Sequence, residues 1–188
     1  AVGFKNLPVK TLYLDVKFGY GFISLIVPFL AATLTNLRLR CEDAADISNS
    51  LHYFFLYCKR IRSLELENCR FGGVQMNWDF QTEGFGRLTR LSLIRCSGNI
   101  SSFFEYVDIP KLKVFSYESG VETSQESEKI IVAVATKSPT ITSIRLEAKF
   151  DSSTSLLKVL GSCHDLARVH FHNKRGSLKL SRSDILSL

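Results

Sequence analysis

One pattern recurs along the sequence. It consists of an apolar residue, two variable residues, a second apolar residue, one variable residue and a third apolar residue. It occurs seven times, at Val9/Leu12/Leu14, Leu34/Leu37/Leu39, Ile61/Leu64/Leu66, Leu88/Leu91/Leu93, Ile109/Leu112/Val114, Ile141/Ile144/Leu146 and Leu166/Val169/Phe171. Successive first positions are 25, 27, 27, 21, 32 and 25 residues apart. A nearly fixed period of this length is typical of proteins built from stacked structural repeats.

Each occurrence of the pattern predicts a short strand. Successive side chains of a strand point to opposite faces, so the last two apolar residues point inward and the residues on either side of each of them point outward. Unrelated strands of another α/β fold would alternate in the same way, but their regular spacing would be unexplained. We therefore predict an α/β array of about seven coils around a parallel sheet.

The segments that follow the strands carry helical signals. Asp46 is placed to cap a helix whose apolar residues recur at four, three and four, at Ile47, Leu51, Phe54 and Cys58. Thr123 and Glu126 have capping-box spacing, and Ser138-Pro139 ends the helix that they open. A further helix is expected to begin at Ser152 or Ser153.

Two of these return segments are irregular. The glycine-rich segment around Trp78 is typical of a loop, and the 21-residue fifth spacing leaves room for only a turn or two around Phe103, Phe104 and Val107. The remainder after the last strand, residues 174–188, is predicted to close the array as a C-terminal cap. Leu178 and Leu180 would then pair with the last strand and cover its edge.

Five cysteines are an odd number and too few for a disulfide scaffold. Cys58 and Cys163 come at helix ends, whereas Cys69 and Cys96 follow strands, and all four are predicted to face the interior. Buried thiols indicate a reducing compartment, so we expect an intracellular protein. The longest apolar run, Phe22 to Ala32, contains Pro28 and falls short of the ~20 residues that a membrane span needs.

The spacing Cys58-x-x-Ile61-x-x-Leu64-x-Leu66-x-x-Cys69 resembles the cysteine-containing leucine-rich repeats, familiar from the substrate-receptor half of F-box proteins in ubiquitin ligases. The resemblance covers Val9 to Asn173. It implies a solenoid with a curved parallel sheet on its concave face, helices and loops on its convex face, and a role in recognising proteins. The F-box that binds the ligase adaptor is not among these residues. Because a solenoid needs polar end caps, we expect residues 1–188 to be a single domain and a piece of a longer protein.

The outward positions of the strands supply the candidate binding residues. Arg38 faces Glu65 and Arg40 faces Glu67 across neighbouring strands, which predicts mutual neutralisation. Farther along, the face is basic and includes two large apolar side chains. The predicted partner-binding residues are Arg90, Ile94, Lys111, Lys113, Phe115, Arg145, Arg168 and His170. A slip of the frame in the short fifth repeat would instead place Phe115 in the core.

No motif indicates catalysis or a bound cofactor. Gly19-Tyr20-Gly21 follows a strand, but Ser24 replaces the third glycine of a dinucleotide-binding fingerprint and Pro28 interrupts the helix. His170 and His172 lie two apart without a third metal ligand nearby in the sequence. We therefore predict a non-enzymatic protein-recognition module that binds an acidic segment of its partner. The alternatives, given the net charge of +6, are a nucleic-acid-binding solenoid or an immune- or effector-type recognition domain.

Overall fold

The computed structural model describes residues 8–16, 21–42, 46–72, 85–120, 122–150, 157 and 159–174. These residues form an α/β structure around one sheet, in which all the strand pairings are parallel. The strands are β1 (Thr11–Val16), β2 (Asn36–Cys41), β3 (Ser63–Glu67), β4 (Arg70–Phe71), β5 (Arg90–Gly98), β6 (Val114–Ser119), β7 (Ser143–Ala148) and β8 (Arg168–Asn173). They follow the chain in the order β1-β2-β3-β5-β6-β7-β8, and the short β4 pairs with β5.

Helices connect several of these strands. They are α1 (Gly21–Leu30), α2 (Ser48–Tyr57), α3 (Ile100–Tyr106) and α4 (Ser124–Lys137), with a 3₁₀ turn at Phe85–Arg87. Within the described ranges, none of them has both the length and the hydropathy that crossing a bilayer requires. The predicted short return is α3, in which Phe103 and Phe104 are buried, with Val107 buried directly after it.

Of the predicted helix starts, that of α4 at Thr123 is confirmed, whereas α2 begins one residue later than Asp46 predicts. The Thr123 hydroxyl accepts a hydrogen bond of 3.2 Å from the Glu126 amide, and α4 ends at Ser138. The Asp46 carboxylate accepts a hydrogen bond of 2.9 Å from the Ser48 amide, one position earlier than a standard N-cap, because Ile47 occupies the cap position and is buried. The apolar stripe of α2 is buried at all four expected positions.

One face of the sheet carries the core. In β2, β3, β5 and β7 the two apolar residues expected to point inward are buried, as Leu37 and Leu39 show in β2. The alternate residues lie on the other face, and most of them are exposed or half-buried. Val169 of β8 is in register with buried Ile144 but remains 48% exposed, because β8 has a neighbouring strand on one side only in the described sheet.

The predicted frame of the fifth repeat is wrong. Phe115 pairs with Leu91 and Ile144 and is only 1% exposed, so it belongs to the core. The repeat is therefore Leu112/Phe115/Tyr117, three residues later than expected. Its first residue, Leu112, lies 24 residues after Leu88 and 29 before Ile141, which evens the spacing.

The error has a local cause. Ile109, Leu112 and Val114 satisfy the apolar pattern by themselves, yet Ile109 belongs to the turn before the strand. Its carbonyl accepts a hydrogen bond of 3.1 Å from the Leu112 amide, as the Phe85 carbonyl does from Leu88 one coil earlier. The larger rings of Phe115 and Tyr117 then take the inward positions. Phe115 stacks on Tyr117 with ring centroids 6.4 Å apart.

Beyond the two inward apolar positions of each strand, a third inward row lies at the carboxyl ends of the strands. It includes five small residues: Cys41, Cys69, Cys96, Ser119 and Ala148. All five are buried. Two of these residues come one position later in the chain than in the other strands. Asn68 is the additional residue before Cys69, and Arg95 is the additional residue before Cys96. Both extra residues adopt left-handed backbone conformations, with φ of 54° and 50°. The expected inward placement of Cys58, Cys69, Cys96 and Cys163 is confirmed, because all four are buried.

Three expectations lie outside the described residues. The glycine-rich loop around Trp78 falls in residues 73–84. The start of the helix at Ser152 or Ser153 falls in residues 151–156. The pairing of Leu178 and Leu180 with β8 falls in residues 175–188.

Candidate functional site

The sheet face opposite the core is the candidate site, and we call it the open face. It has three rows that cross the seven long strands. The amino row contains Thr11, Asn36, Ser63, Arg90, Val114, Ser143 and Arg168. The middle row contains Tyr13, Arg38, Glu65, Ser92, Ser116, Arg145 and His170, and the carboxyl row contains Asp15, Arg40, Glu67, Ile94, Glu118, Glu147 and His172.

Glu67 is the centre of an ion-pair cluster in the carboxyl row. Its carboxylate accepts hydrogen bonds of 3.0 Å from Arg38 Nη2 and 2.6 Å from Arg95 Nη2, and Arg40 Nε lies 3.8 Å away. Although it faces outward, Glu67 is only 6% exposed. The hydrogen bond from Arg38 holds the pKa of Glu67 below its usual value against the opposing effect of burial.

Arg38 joins this cluster to the middle row. Its Nε lies 2.9 Å from Glu65 Oε1, and its guanidinium lies over the ring of Tyr13, 5.0 Å from the centroid. The hydrogen bond to Glu67 raises the pKa of Arg38. The expected cross-strand contacts, Arg38 with Glu65 and Arg40 with Glu67, are therefore confirmed, and the structure adds Arg38 and Arg95 to the partners of Glu67.

Arg145, one of the predicted binding residues, is largely neutralised by its own strand. Its Nε donates a hydrogen bond of 2.9 Å to Glu147 Oε1, and its Nη2 contacts the same oxygen. This hydrogen bonding lowers the pKa of Glu147. The guanidinium of Arg145 is therefore already paired with Glu147, and only its exposed part can contact a partner.

Lys111 and Lys113 do not belong to the rows in which they were expected. Val114 and Ser116 occupy those places, because the frame of the fifth repeat begins three residues later. Both lysines are exposed in the turn before β6, and Lys113 Nζ donates a hydrogen bond of 3.1 Å to the Thr140 carbonyl. They lie beside the amino row rather than in the middle of the face.

The expected apolar pair on the open face is not formed. Phe115 is in the core, and Glu118 takes its place in the carboxyl row. Ile94 is on the open face as expected and half-buried, with Glu67 and Glu118 as its neighbours on adjacent strands. The face thus has one large aliphatic side chain in its central strands, set between two carboxylates.

The remaining predicted residues are placed as expected. Arg90, Arg168 and His170 are exposed on the open face. His172 is exposed two residues beyond His170. In the described ranges no three or more His, Cys, Asp or Glu side chains are arranged to hold a metal ion.

Arg95 is the residue of the ion-pair cluster that the sequence pattern did not predict. It lies between rows, at the extra position of β5, where the pairing with β6 shifts between Ile94 and Cys96. The sequence contains a signal for it. Two residues separate Leu93 from Cys96, whereas one separates Leu39 from Cys41, so β5 has one residue more than β2 before the same row.

Comparison with known proteins does not assign the chain to a family. No protein-family model and no curated protein matches the sequence.

Proposed function

We propose that this chain is a leucine-rich-repeat solenoid that recognises a protein partner on its open face and catalyses no reaction. One observation carries the proposal: the open face extends over all seven long strands and presents charged and polar side chains, while the opposite face is buried under apolar contacts. A parallel sheet usually has both faces covered, so a face of this size that no described segment covers is suited to binding.

A repeated backbone contact supports the solenoid. From each coil to the next, two consecutive amides before or at the start of a strand donate to one carbonyl of the preceding coil. Examples are Thr35 and Asn36 to Lys10, at 2.9 Å each, and Arg62 and Ser63 to Thr35, at 2.7 and 3.1 Å. The same contact recurs at all six steps from β1 to β8, with β4 left aside. Coils that repeat their backbone contacts in this way stack as a linear array.

The more specific proposal is the substrate-recognition half of an F-box-type ubiquitin ligase receptor. It is supported by the cysteine spacing and by the burial of the cysteines at both repeat positions. An F-box elsewhere in the full-length protein would bind the ligase adaptor. Co-purification of the adaptor with the full-length protein tests this part separately.

The test of the recognition function is site-specific photo-crosslinking. Benzoylphenylalanine replaces Tyr13, which is 49% exposed on the open face, or Ser116 in the middle row. The matched control replaces Tyr57, which is 42% exposed on α2 and lies off the sheet. Each variant is irradiated in an extract of source cells, and the crosslinked products are identified by mass spectrometry.

We expect the same protein to be crosslinked from Tyr13 and Ser116 and not from Tyr57. Crosslinks from Tyr57 alone would place recognition on the helical side and contradict the proposal. Products that disappear after nuclease treatment would identify a nucleic acid as the ligand and contradict it in a different way.

A further inference from the structure

The charges of the open face are separated along the strand direction. In the middle and carboxyl rows, four of the carboxylates have basic partners: Glu65 with Arg38, Glu67 with three arginines, Glu118 with Lys174 at 3.6 Å, and Glu147 with Arg145. Asp15 is in register with Arg40. This half of the face therefore neutralises itself.

The amino ends of the strands, by contrast, have positive charge only. We define the amino edge as the first residue of each of the seven long strands together with the residue before it. It contains five basic residues and no acidic one: Lys10, Arg62, Arg90, Lys113 and Arg168. None of these five forms an ion pair with a described carboxylate. All five are exposed.

Three threonines of the amino edge form hydrogen bonds with the backbone. The hydroxyls of Thr35, Thr89 and Thr142 donate hydrogen bonds of 3.0 to 3.1 Å to the carbonyls of Lys10, Arg62 and Lys113. Threonine and basic residues thus alternate in the position before the strands, from Lys10 to Thr142. Each threonine thereby holds the backbone of the basic residue one coil earlier, which applies to three of the five basic residues.

We propose that the amino edge binds an acidic peptide segment in extended conformation, running across the strands. This inference rests on the proposed recognition function and names the chemistry of the partner. The edge covers six strand spacings of ~4.8 Å, or about 29 Å, which an extended peptide crosses in about nine residues. Alternate residues of such a peptide point to the same side, about 6.7 Å apart, and the long basic side chains can adapt to that interval.

A peptide suits this edge better than a single-stranded nucleic acid. Sequence-tolerant binding of nucleic acids combines basic residues with aromatic side chains on which bases stack. The amino edge contains no Phe, Tyr, Trp or His, and its small residues include Ser63, Val114 and Ser143. Carboxylates need only the charge and the N–H donors that Arg and Lys supply.

The test measures binding of a fluorescent ten-residue peptide of alternating Glu and Ser to the 188-residue chain by anisotropy. Arg90→Ser and Arg62→Ser remove one charge each from the amino edge. Lys129→Ser, on the exposed side of α4, removes the same charge elsewhere. Companion probes are the same peptide with Gln in place of Glu and a ten-nucleotide oligothymidylate.

We expect Arg90→Ser and Arg62→Ser each to weaken binding of the Glu peptide about 2- to 5-fold, the range of an exposed charge pair. Lys129→Ser should leave the affinity unchanged, and the Gln peptide should not bind. Equal losses in all three variants would mean binding to net charge and overturn the proposal. Tighter binding of the oligonucleotide that is also lost in Arg90→Ser would assign the edge to a nucleic acid.

The two proposals fail in different ways. If the open-face crosslinks form but the Glu peptide does not bind, or binds without depending on Arg62 and Arg90, recognition stands and the acidic partner is rejected. If neither Tyr13 nor Ser116 crosslinks a protein, the recognition function itself is rejected.

Discussion

Arg95 Nη2 lies 2.6 Å from Glu67 Oε1, and this contact between neighbouring strands is made from a left-handed backbone with φ of 50°. The left-handed conformation costs a side-chain-bearing residue about 1–2 kcal/mol, which glycine avoids. The ion pair and the backbone strain at Arg95 therefore have opposite effects on stability.

Replacing Arg95 separates these effects. Arg95→Ala and Arg95→Gly both remove the contact with Glu67, but only Gly also removes the strain. We expect Arg95→Gly to have a free energy of unfolding about 1 kcal/mol higher than Arg95→Ala, as measured by urea denaturation. If Ala were the more stable of the two, the left-handed conformation at Arg95 would be wrong.

Glu67→Gln should make the stability of the chain less dependent on pH in the acidic range. The folded-state pKa of Glu67 lies below its unfolded value, so its ionisation stabilises the fold above about pH 4. That contribution is lost as the pH falls through the lowered pKa. We expect wild type to exceed Glu67→Gln in stability at pH 7 and the difference to shrink below pH 4, followed by denaturation at several pH values.

Replacing Glu122 should have the opposite effect on stability at neutral pH from replacing Glu67. Burial raises its pKa, and its Oε1 is buried without a hydrogen-bond partner among the described residues, while Oε2 accepts a hydrogen bond of 2.7 Å from the Gly120 amide. Ionisation therefore destabilises the fold as the pH rises from the unfolded pKa to the raised one. We expect Glu122→Gln to be more stable than wild type at pH 7 and the gain to disappear near pH 4. A gain that persists at pH 4 would exclude ionisation as its cause.

The frame of the fifth repeat can be tested by two adjacent substitutions. Phe115→Ala should lower the free energy of unfolding by about 3–5 kcal/mol, because it empties a core position. Val114→Ala, on the open face, should cost less than about 1 kcal/mol. A larger loss of stability in Val114→Ala than in Phe115→Ala would support the frame in which Val114 points inward.

Two glycines make a further matched pair. Gly98 has φ of 90°, and a Cβ there would collide with the Phe71 carbonyl, whereas a Cβ at Gly86 meets nothing within 4 Å. We expect Gly98→Ala to lower the melting temperature clearly and Gly86→Ala to leave it nearly unchanged. Equal effects would contradict the close approach of Gly98 to Phe71.

The apolar pattern of the sequence was sufficient to predict six of the seven repeat frames, the parallel pairing of Arg38 with Glu65, and the start and end of α4. These features depend on residues close together in the chain or on the repeat period itself. The pattern also predicted buried cysteines, because their spacing from the strand residues is constant. For α2, the sequence predicted Asp46 as the N-cap, but buried Ile47 takes that position and Asp46 lies one residue before it.

The sequence by itself determined the repeat period, the register of six strands and the side chains that can appear on the outer rows. Only the tertiary structure decided that Phe115 enters the core, that Arg95 reaches Glu67, and that the basic residues of the amino edge form no ion pair with a described carboxylate. The reason is physical. Local alternation is satisfied equally well by Ile109/Leu112/Val114 and by Leu112/Phe115/Tyr117, and only pairing with Leu91 and Ile144 on the neighbouring strands distinguishes them.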